Sequence, residues 1–192
     1  MSRTKQSDRI KQTALTPQEI EMIIACLIGD GTLSKSGKNY RLRIEHSSKH
    51  KEYVEWKYKR LARLCVSPVQ YVSAHDSFRF GTVGHPEITK LRETWYPDTK
   101  QIISGLKLIP VMIAVWFMDD GTKHRTTIDI SVHNFSPASI ESLRKQLLAY
   151  DVETTIISDS KGPRLYVRQK SYPNFKKLVA PYIVSCMAYK LP

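Results

Sequence analysis

The sequence predicts an α+β chain made of two similar halves, each in the order α-β-β-α-β-β-α with antiparallel sheets. Three observations lead there. An apolar run that ends in Asp-Gly occurs twice, as Ile23-Ile24-Ala25-Cys26-Leu27-Ile28-Gly29-Asp30-Gly31 and as Ile113-Ala114-Val115-Trp116-Phe117-Met118-Asp119-Asp120-Gly121, with Asp30 and Asp120 standing 90 positions apart. The likeness continues beyond these runs, since His85-Pro86-Glu87 to Leu91 aligns with Tyr172-Pro173-Asn174 to Leu178 at an offset of 87. The alternating segments come in pairs across short turns, which is hairpin spacing and not the spacing of repeated βαβ units.

The elements follow in order. Residues 1–15 read as a basic flexible tail carrying Arg3, Lys5, Arg9 and Lys11. Thr16-Pro17-Gln18-Glu19 is a capping box with proline at the first helical position, so a helix starts there and runs to Gly29. Residues 16–100 form the first half. Tyr40 to His46 alternates, with Leu42 and Ile44 on one face and Arg41, Arg43 and Glu45 on the other, as a strand does. His50 to Leu64 reads as a helix with Tyr53, Trp56, Leu61 and Leu64 inward. Val69 to Ala74 and Ser77 to Thr82 form a hairpin across His75-Asp76, and Pro86 to Trp95 is a helix broken by Tyr96-Pro97-Asp98. Residues 101–109 are the linker and 110–192 the second half. There Pro110 opens a helix, Thr127 to His133 is a strand, and Ser136 caps a helix to Tyr150. Glu153 to Ser158 and Arg164 to Lys170 are strands, and Pro173 to Val179 is the last helix.

Composition narrows the partners. The 192 residues include 30 lysines and arginines against 18 acidic residues, a formal net charge of +12. That excess points to a polyanion, nucleic acid above all. No apolar run approaches the roughly 20 residues of a spanning helix, and the polar start from Met1 to Gln12 lacks the apolar stretch of a secretory signal. Three widely spaced cysteines, Cys26, Cys65 and Cys186, fit free thiols in a reducing intracellular compartment, an organelle or a microbial cytoplasm, and have no zinc spacing.

The paired apolar helices ending in Asp-Gly resemble the motif that names the LAGLIDADG homing endonucleases, and most closely the single-chain, two-motif members encoded by mobile introns. Trp116 to Gly121, Tyr96-Pro97-Asp98 and the closing Tyr189-Lys190-Leu191-Pro192 carry the likeness, which covers residues 16 to 192. It implies two pseudo-twofold-related halves forming a DNA-binding saddle, a monomer with an internal pseudo-dimer whose motif helices pack together through small residues such as Ala25 and Ala114. Val115 departs from the motif where it has its first glycine, and Ile28 and Met118 stand where it has its inner aspartate. The resemblance also implies a site-specific endonuclease that makes a double-strand break in a long asymmetric target. Asp30 and Asp120 are then the metal-binding carboxylates, with the backbone of Gly29 and Asp119 assisting. The hard oxygen donors suit Mg²⁺, with Mn²⁺ as a substitute. Lys100 and Lys190, also 90 apart, are the basic residues the family places after the last helix of each half. The alternative on the same fold is an intron RNA maturase or a non-cleaving nucleic-acid binder, with intron RNA as partner.

Double-stranded DNA would be read by the polar faces of the sheets, because base edges in the major groove carry a distinguishable code. The residues on those faces are Arg41, Arg43, Glu45 and Arg79 in the first half and Asp129, Ser131, His133, Arg164, Tyr166, Arg168 and Lys170 in the second. Strands of about 17–20 Å give two sheets a reach on the order of 12 base pairs, which loops Ser34 to Asn39 and Lys161 to Arg164 would extend.

Overall fold

The structure, a computed structural model, describes residues 3–95, 102 and 105–192. The chain divides into two compact units, Met1–Glu93 with Val184–Cys186 and Thr94–Ile183 with Met187–Pro192. Each unit carries the expected order of elements around one antiparallel four-stranded sheet.

The first unit starts with helix α1 (Arg3–Lys11), so the basic tail is helical over these nine residues. Helix α2 (Pro17–Ile28) begins at the capping box: the Thr16 side chain accepts from the Glu19 N–H, and the Glu19 carboxylate accepts from the Thr16 N–H at 2.8 Å. Arg63 binds the same carboxylate, its Nε donating at 2.8 Å. Strands β1 (Thr32–Ser36) and β2 (Asn39–Ser47) form a hairpin whose turn is Gly37-Lys38, with Gly37 at φ 61°. That turn falls inside the segment read from the sequence as a loop, and most of the segment is strand. Helix α3 (Lys51–Leu61) follows, then β3 (Gln70–Val72) and β4 (Ser77–Gly81) across Asp76 at φ 43°. Helix α4 (Pro86–Trp95) closes the half. The sheet order is β1-β2-β4-β3. Leu42 and Ile44 of β2 are buried with Phe80 of β4, while Arg41, Arg43, Glu45 and Arg79 lie on the open face. The alternation read from the sequence is therefore present.

The second unit repeats this frame with helix α5 (Pro110–Asp120), strands β5 (Gly121–Lys123) and β6 (Ile128–Ser131), helix α6 (Pro137–Leu148), strands β7 (Thr154–Asp159) and β8 (Gly162–Val167), and helix α7 (Tyr172–Val179). Its sheet order, β5-β6-β8-β7, matches the first. The core holds Trp116, Phe117, Ile128, Ile130, Leu143, Leu165, Val167 and Phe175, with the Phe117 and Phe175 rings edge to face at 5.2 Å. Two strand ends differ from the sequence expectation. β6 stops at Ser131, leaving His133 beyond it, and β8 stops at Val167, leaving Arg168 and Lys170 outside the sheet. The β7–β8 ladder ends at the Thr154–Val167 pair, after which Gln169–Ser171 turns into a 3₁₀ helix that feeds α7.

Both motif helices carry a continuous buried stretch, Met22 to Ile28 in α2 and Met112 to Met118 in α5. Among the described residues, no helix is long and apolar enough to cross a membrane.

Candidate functional site

Each motif helix delivers its aspartate by the same local device. After α2 the chain reverses at once, and the Gly31 N–H bonds the Cys26 carbonyl at 2.8 Å. A Cβ on Gly31 would lie 2.6 Å from that carbonyl oxygen, so only glycine lets the strand leave so close to the helix. After α5 the Gly121 N–H bonds the Phe117 carbonyl, and a Cβ there would overlap the Phe117 ring and carbonyl. The Asp-Gly pair is thus a carboxylate followed by the one residue that permits the exit. It sets the carboxylate at the helix C-terminus, where backbone carbonyls lack intrahelical partners and the helix dipole favours a cation.

In the first unit the Asp30 side chain is 52% exposed and lies 4.0 Å from Nδ1 of His46 on β2. Gly29 precedes it as the helix cap, its N–H reaching the Ala25 carbonyl at 3.4 Å. In the second unit Asp119 and Asp120 are both partly exposed at the end of α5. Lys190, in a closing 3₁₀ segment (Ser185–Lys190), donates to the carbonyls of Met118 at 2.6 Å and Asp119 at 2.9 Å. This candidate lysine therefore sets its ammonium against the end of α5, one residue from Asp120. Lys100, its expected counterpart, lies outside the described residues, as does Tyr96-Pro97-Asp98.

On the first open face, Arg41, Arg43 and Arg79 line a groove of ≈ 490 Å³ together with Lys11 of α1 and Gln70 of β3. Arg41 donates to Ser34 Oγ at 3.2 Å, and Arg43 makes no ion pair with any described acid. Glu45 accepts from Ser77 Oγ at 2.6 Å and lies 2.9 Å from His75 Nδ1. The Ser77 hydrogen bond, then that of His75, holds the Glu45 carboxyl below its ordinary range.

The second open face is arranged differently. Asp129 is buried, with only 4% of its side chain exposed, and it accepts from Arg164 Nε at 2.7 Å and lies 2.6 Å from His124 Nε2. Arg164 also donates to Thr122 Oγ1 at 2.6 Å and lies 3.5 Å from Asp159. The hydrogen bond to Asp129 keeps its guanidinium above its ordinary pKa, and the fields of Asp129, Asp159 and Asp120 add to it against burial. Tyr166 packs edge-on against the His124 ring at 5.4 Å. Ser131 Oγ and His133 Nδ1 are hydrogen-bonded to each other. Past the end of β8, Arg168 pairs with Glu153 at 3.5 Å and Lys170 with the same carboxylate at 2.8 Å. The sequence reading placed Arg168 mid-strand. In the structure it instead borders a groove beside α6, with Glu141 and Arg144.

Two polar residues that the sequence reading passed over stand behind Asp30: His46, 9% exposed, and Lys57 of α3, fully buried. His46 continues the inward face of Leu42 and Ile44, and a histidine ending an apolar stripe was the available signal.

Two repeated halves of this order, each with a carboxylate at the end of a buried helix and a polar sheet face, define a two-motif nucleic-acid enzyme architecture. The chain belongs to the LAGLIDADG DNA endonuclease family, which it matches over residues 20–175. It is similar to the DNA endonuclease I-ChuI of Chlamydomonas applanata, 25% identical over 209 residues that cover 93% of this chain and 96% of that one. It is also similar to the cytochrome b mRNA maturase bI2 of Debaryomyces hansenii, 26% identical over 206 residues that cover 97% and 79%. Its fold resembles that of the homing endonuclease I-WcaI bound to its DNA recognition sequence, at TM-score 0.81, 24% identity and coverage of 95% and 90%. It also resembles I-DmoI in complex with DNA and Mn, at TM-score 0.59, 16% identity and coverage of 86% and 99%.

Proposed function

We propose that this chain acts as a monomer that binds a long asymmetric duplex and cuts both strands, with Asp30 and Asp120 as metal-binding carboxylates and Mg²⁺ as the working ion. The observation that carries the reading is the repeated helix end: two carboxylates, each fixed by a glycine that its own backbone demands, in a DNA endonuclease family. The donors fit the ion. Carboxylate oxygens at the negative end of a helix are hard ligands of the kind Mg²⁺ and Mn²⁺ take, and I-DmoI, of the same fold, binds DNA with Mn. A divalent ion supplies positive charge at the phosphodiester and makes water nucleophilic. The chain's own residues do the remaining work. Asp30 and Asp120 would each offer carboxylate oxygens to a divalent cation, with the backbone carbonyls of Gly29 and Asp119 assisting, and Lys190 holds the end of α5 in place and sets a positive charge beside Asp120. Arg41, Arg43 and Arg79 meet DNA from the first sheet.

The test is a cleavage selection on plasmid libraries in Mg²⁺, followed by Asp30→Asn and Asp120→Asn on the selected site. Each variant should lose double-strand cutting while binding within about tenfold of wild type, and Ca²⁺ should allow binding without cutting. Full cutting by either variant would remove the assignment. A second reading, an intron RNA maturase or non-cleaving binder, draws support from the maturase of Debaryomyces hansenii. A chain that cuts no library in Mg²⁺ or Mn²⁺ yet promotes splicing of an intron RNA would establish it.

A further inference from the structure

The two sheets share a register, and one level of it carries opposite chemistry in the two units. Thr32 and Thr122 each follow a motif glycine, and they pair with Arg43 and Asp129. Further along the same strands, Glu45 pairs with Arg79 and Arg79 with Gln70, while Ser131 pairs with Arg164 and Arg164 with Ile157. Gln70 and Ile157 are therefore equivalent, each on an edge strand beside an arginine. Gln70 is exposed and lines the groove of Arg41, Arg43 and Arg79. The second sheet sets an isoleucine at this level.

Packing does not account for Ile157. Its neighbour Ile156 pairs with Leu165, and Leu165 with Ile130, along the face that forms the core. Ile157 lies on the other face with Arg164, Thr155 and Tyr166, and is 36% exposed. Strand propensity does not account for it either, because threonine meets that preference at positions 154 and 155 with less exposed hydrocarbon. Edge strands are ordinarily guarded by charge or proline, and β7 has neither from Thr154 to Ser158.

The polar groups around Ile157 are committed within the sheet. Arg164 donates to Asp129 and to Thr122, Ser131 bonds His133, and Arg168 Nε reaches Thr155 Oγ1 at 3.4 Å. At this level the open face therefore offers hydrocarbon. Among the base edges of the major groove the distinctive apolar group is the thymine 5-methyl, whereas a glutamine reads adenine through hydrogen bonds. We infer that Ile157 seats a thymine methyl and makes the stretch of target beneath the second sheet depend on that group, while Gln70 at the same level of the first sheet works through hydrogen bonds. This role for Ile157 rests on the reading of the chain as a DNA endonuclease whose open sheet faces meet the duplex.

The experiment uses the full chain and a duplex selected from a random library by binding in Ca²⁺, so that it does not depend on cutting. Each thymine of that duplex is replaced in turn by uracil, which pairs identically and lacks only the 5-methyl. Affinity measured by fluorescence anisotropy should fall about fourfold at one or two thymines, the effect of one buried methylene-sized group. Ile157→Ala should bind the thymine and uracil duplexes alike at those positions. Ile157→Gln, which carries the residue of the first sheet at this level, should do the same. Both variants change an exposed side chain and should keep the wild-type circular dichroism spectrum. A wild-type chain indifferent to every uracil, a selected site without thymine, or a uracil penalty that both variants retain would overturn the role of Ile157 and leave the endonuclease reading standing. A penalty that the variants abolish, in a chain that cuts nothing in Mg²⁺, upholds the role and removes the nuclease activity. A chain that selects no duplex overturns both.

Discussion

On the open face of the first sheet, Arg41, Arg43 and Arg79 line a groove with no carboxylate clasping Arg43; on the second, Arg164 is held by Asp129 and Asp159 and carries only 13% side-chain exposure. The strands beneath are the same, in the same order and pairing. Two arginines on the open faces of similar sheets, on different strands, thus serve different ends. Arg43 keeps its charge available to a phosphate or a guanine edge, while Arg164 spends its hydrogen bonds inside its own sheet. The net charge of +12 is therefore distributed unevenly in effect, because the acids of the second half sit beside its arginines.

The largest expected effect is on stability. Arg164→Ala removes the guanidinium from a nearly buried carboxylate and should destabilise the chain by about 3 kcal/mol, with His124 still beside Asp129. Arg43→Ala should fall within about 0.5 kcal/mol of wild type. Urea unfolding of the two variants decides the matter, and equal losses would erase the contrast. Next comes recognition. Arg43→Ala should relax preference at one or two positions of one half-site by about 1–3 kcal/mol. Arg168→Ala, tied to Glu153 beyond the end of its strand, should leave the positional profile unchanged. Cleavage profiling over single-base variants of the selected site separates the two.

A third contrast lies at the helix starts. Helix α2 has its capping box and Arg63, whereas α5 begins after Ile109 without a side-chain cap. Burial pushes the Glu19 carboxyl up, but hydrogen bonds from Arg63 and Thr16 and the charge of Arg63 outweigh it, so the group sits below its ordinary pKa. A depressed carboxyl stabilises the fold above the ordinary carboxylate range and loses that contribution as pH falls through it. The stability gap between wild type and Glu19→Gln should therefore be full at pH 7 and close progressively below about pH 4.5. Thr16→Ala should cost about 1 kcal/mol at neutral pH. The smallest effect is that of Lys11→Ala, which should lower the salt slope of DNA binding by about one unit if Lys11 meets a phosphate.

Much of this fold was legible because the two halves repeat and each strand pair alternates cleanly. Strands β1 and β5 were harder to see, since Thr32–Ser36 and Gly121–Lys123 are short and polar and look like turn material beside their glycines. The end of β8 was misjudged because Arg164 to Lys170 keeps alternating in sequence after the ladder has stopped. At the site, Asp30, Asp120 and Lys190 were candidates because the repeat spaces them and the resemblance to the LAGLIDADG motif assigns such positions a role. His46 and Lys57 were not, because a lysine in a helix reads as solvent-facing until α3 is seen to turn it into the core. Nor does alternation tell that Asp129 lies beneath Arg164, since pairing across strands is a property of register.

The glycines at positions 31 and 121 have no functional group, yet the chain folds back so tightly over each helix end that a methyl would meet backbone or ring. Any larger residue must push the preceding carboxylate out of place. In a population of random variants filtered only for the ability to cut, these two silent positions should tolerate as little change as the aspartates beside them. A scan that ranks sites by intolerance would list them among the active residues on purely steric grounds.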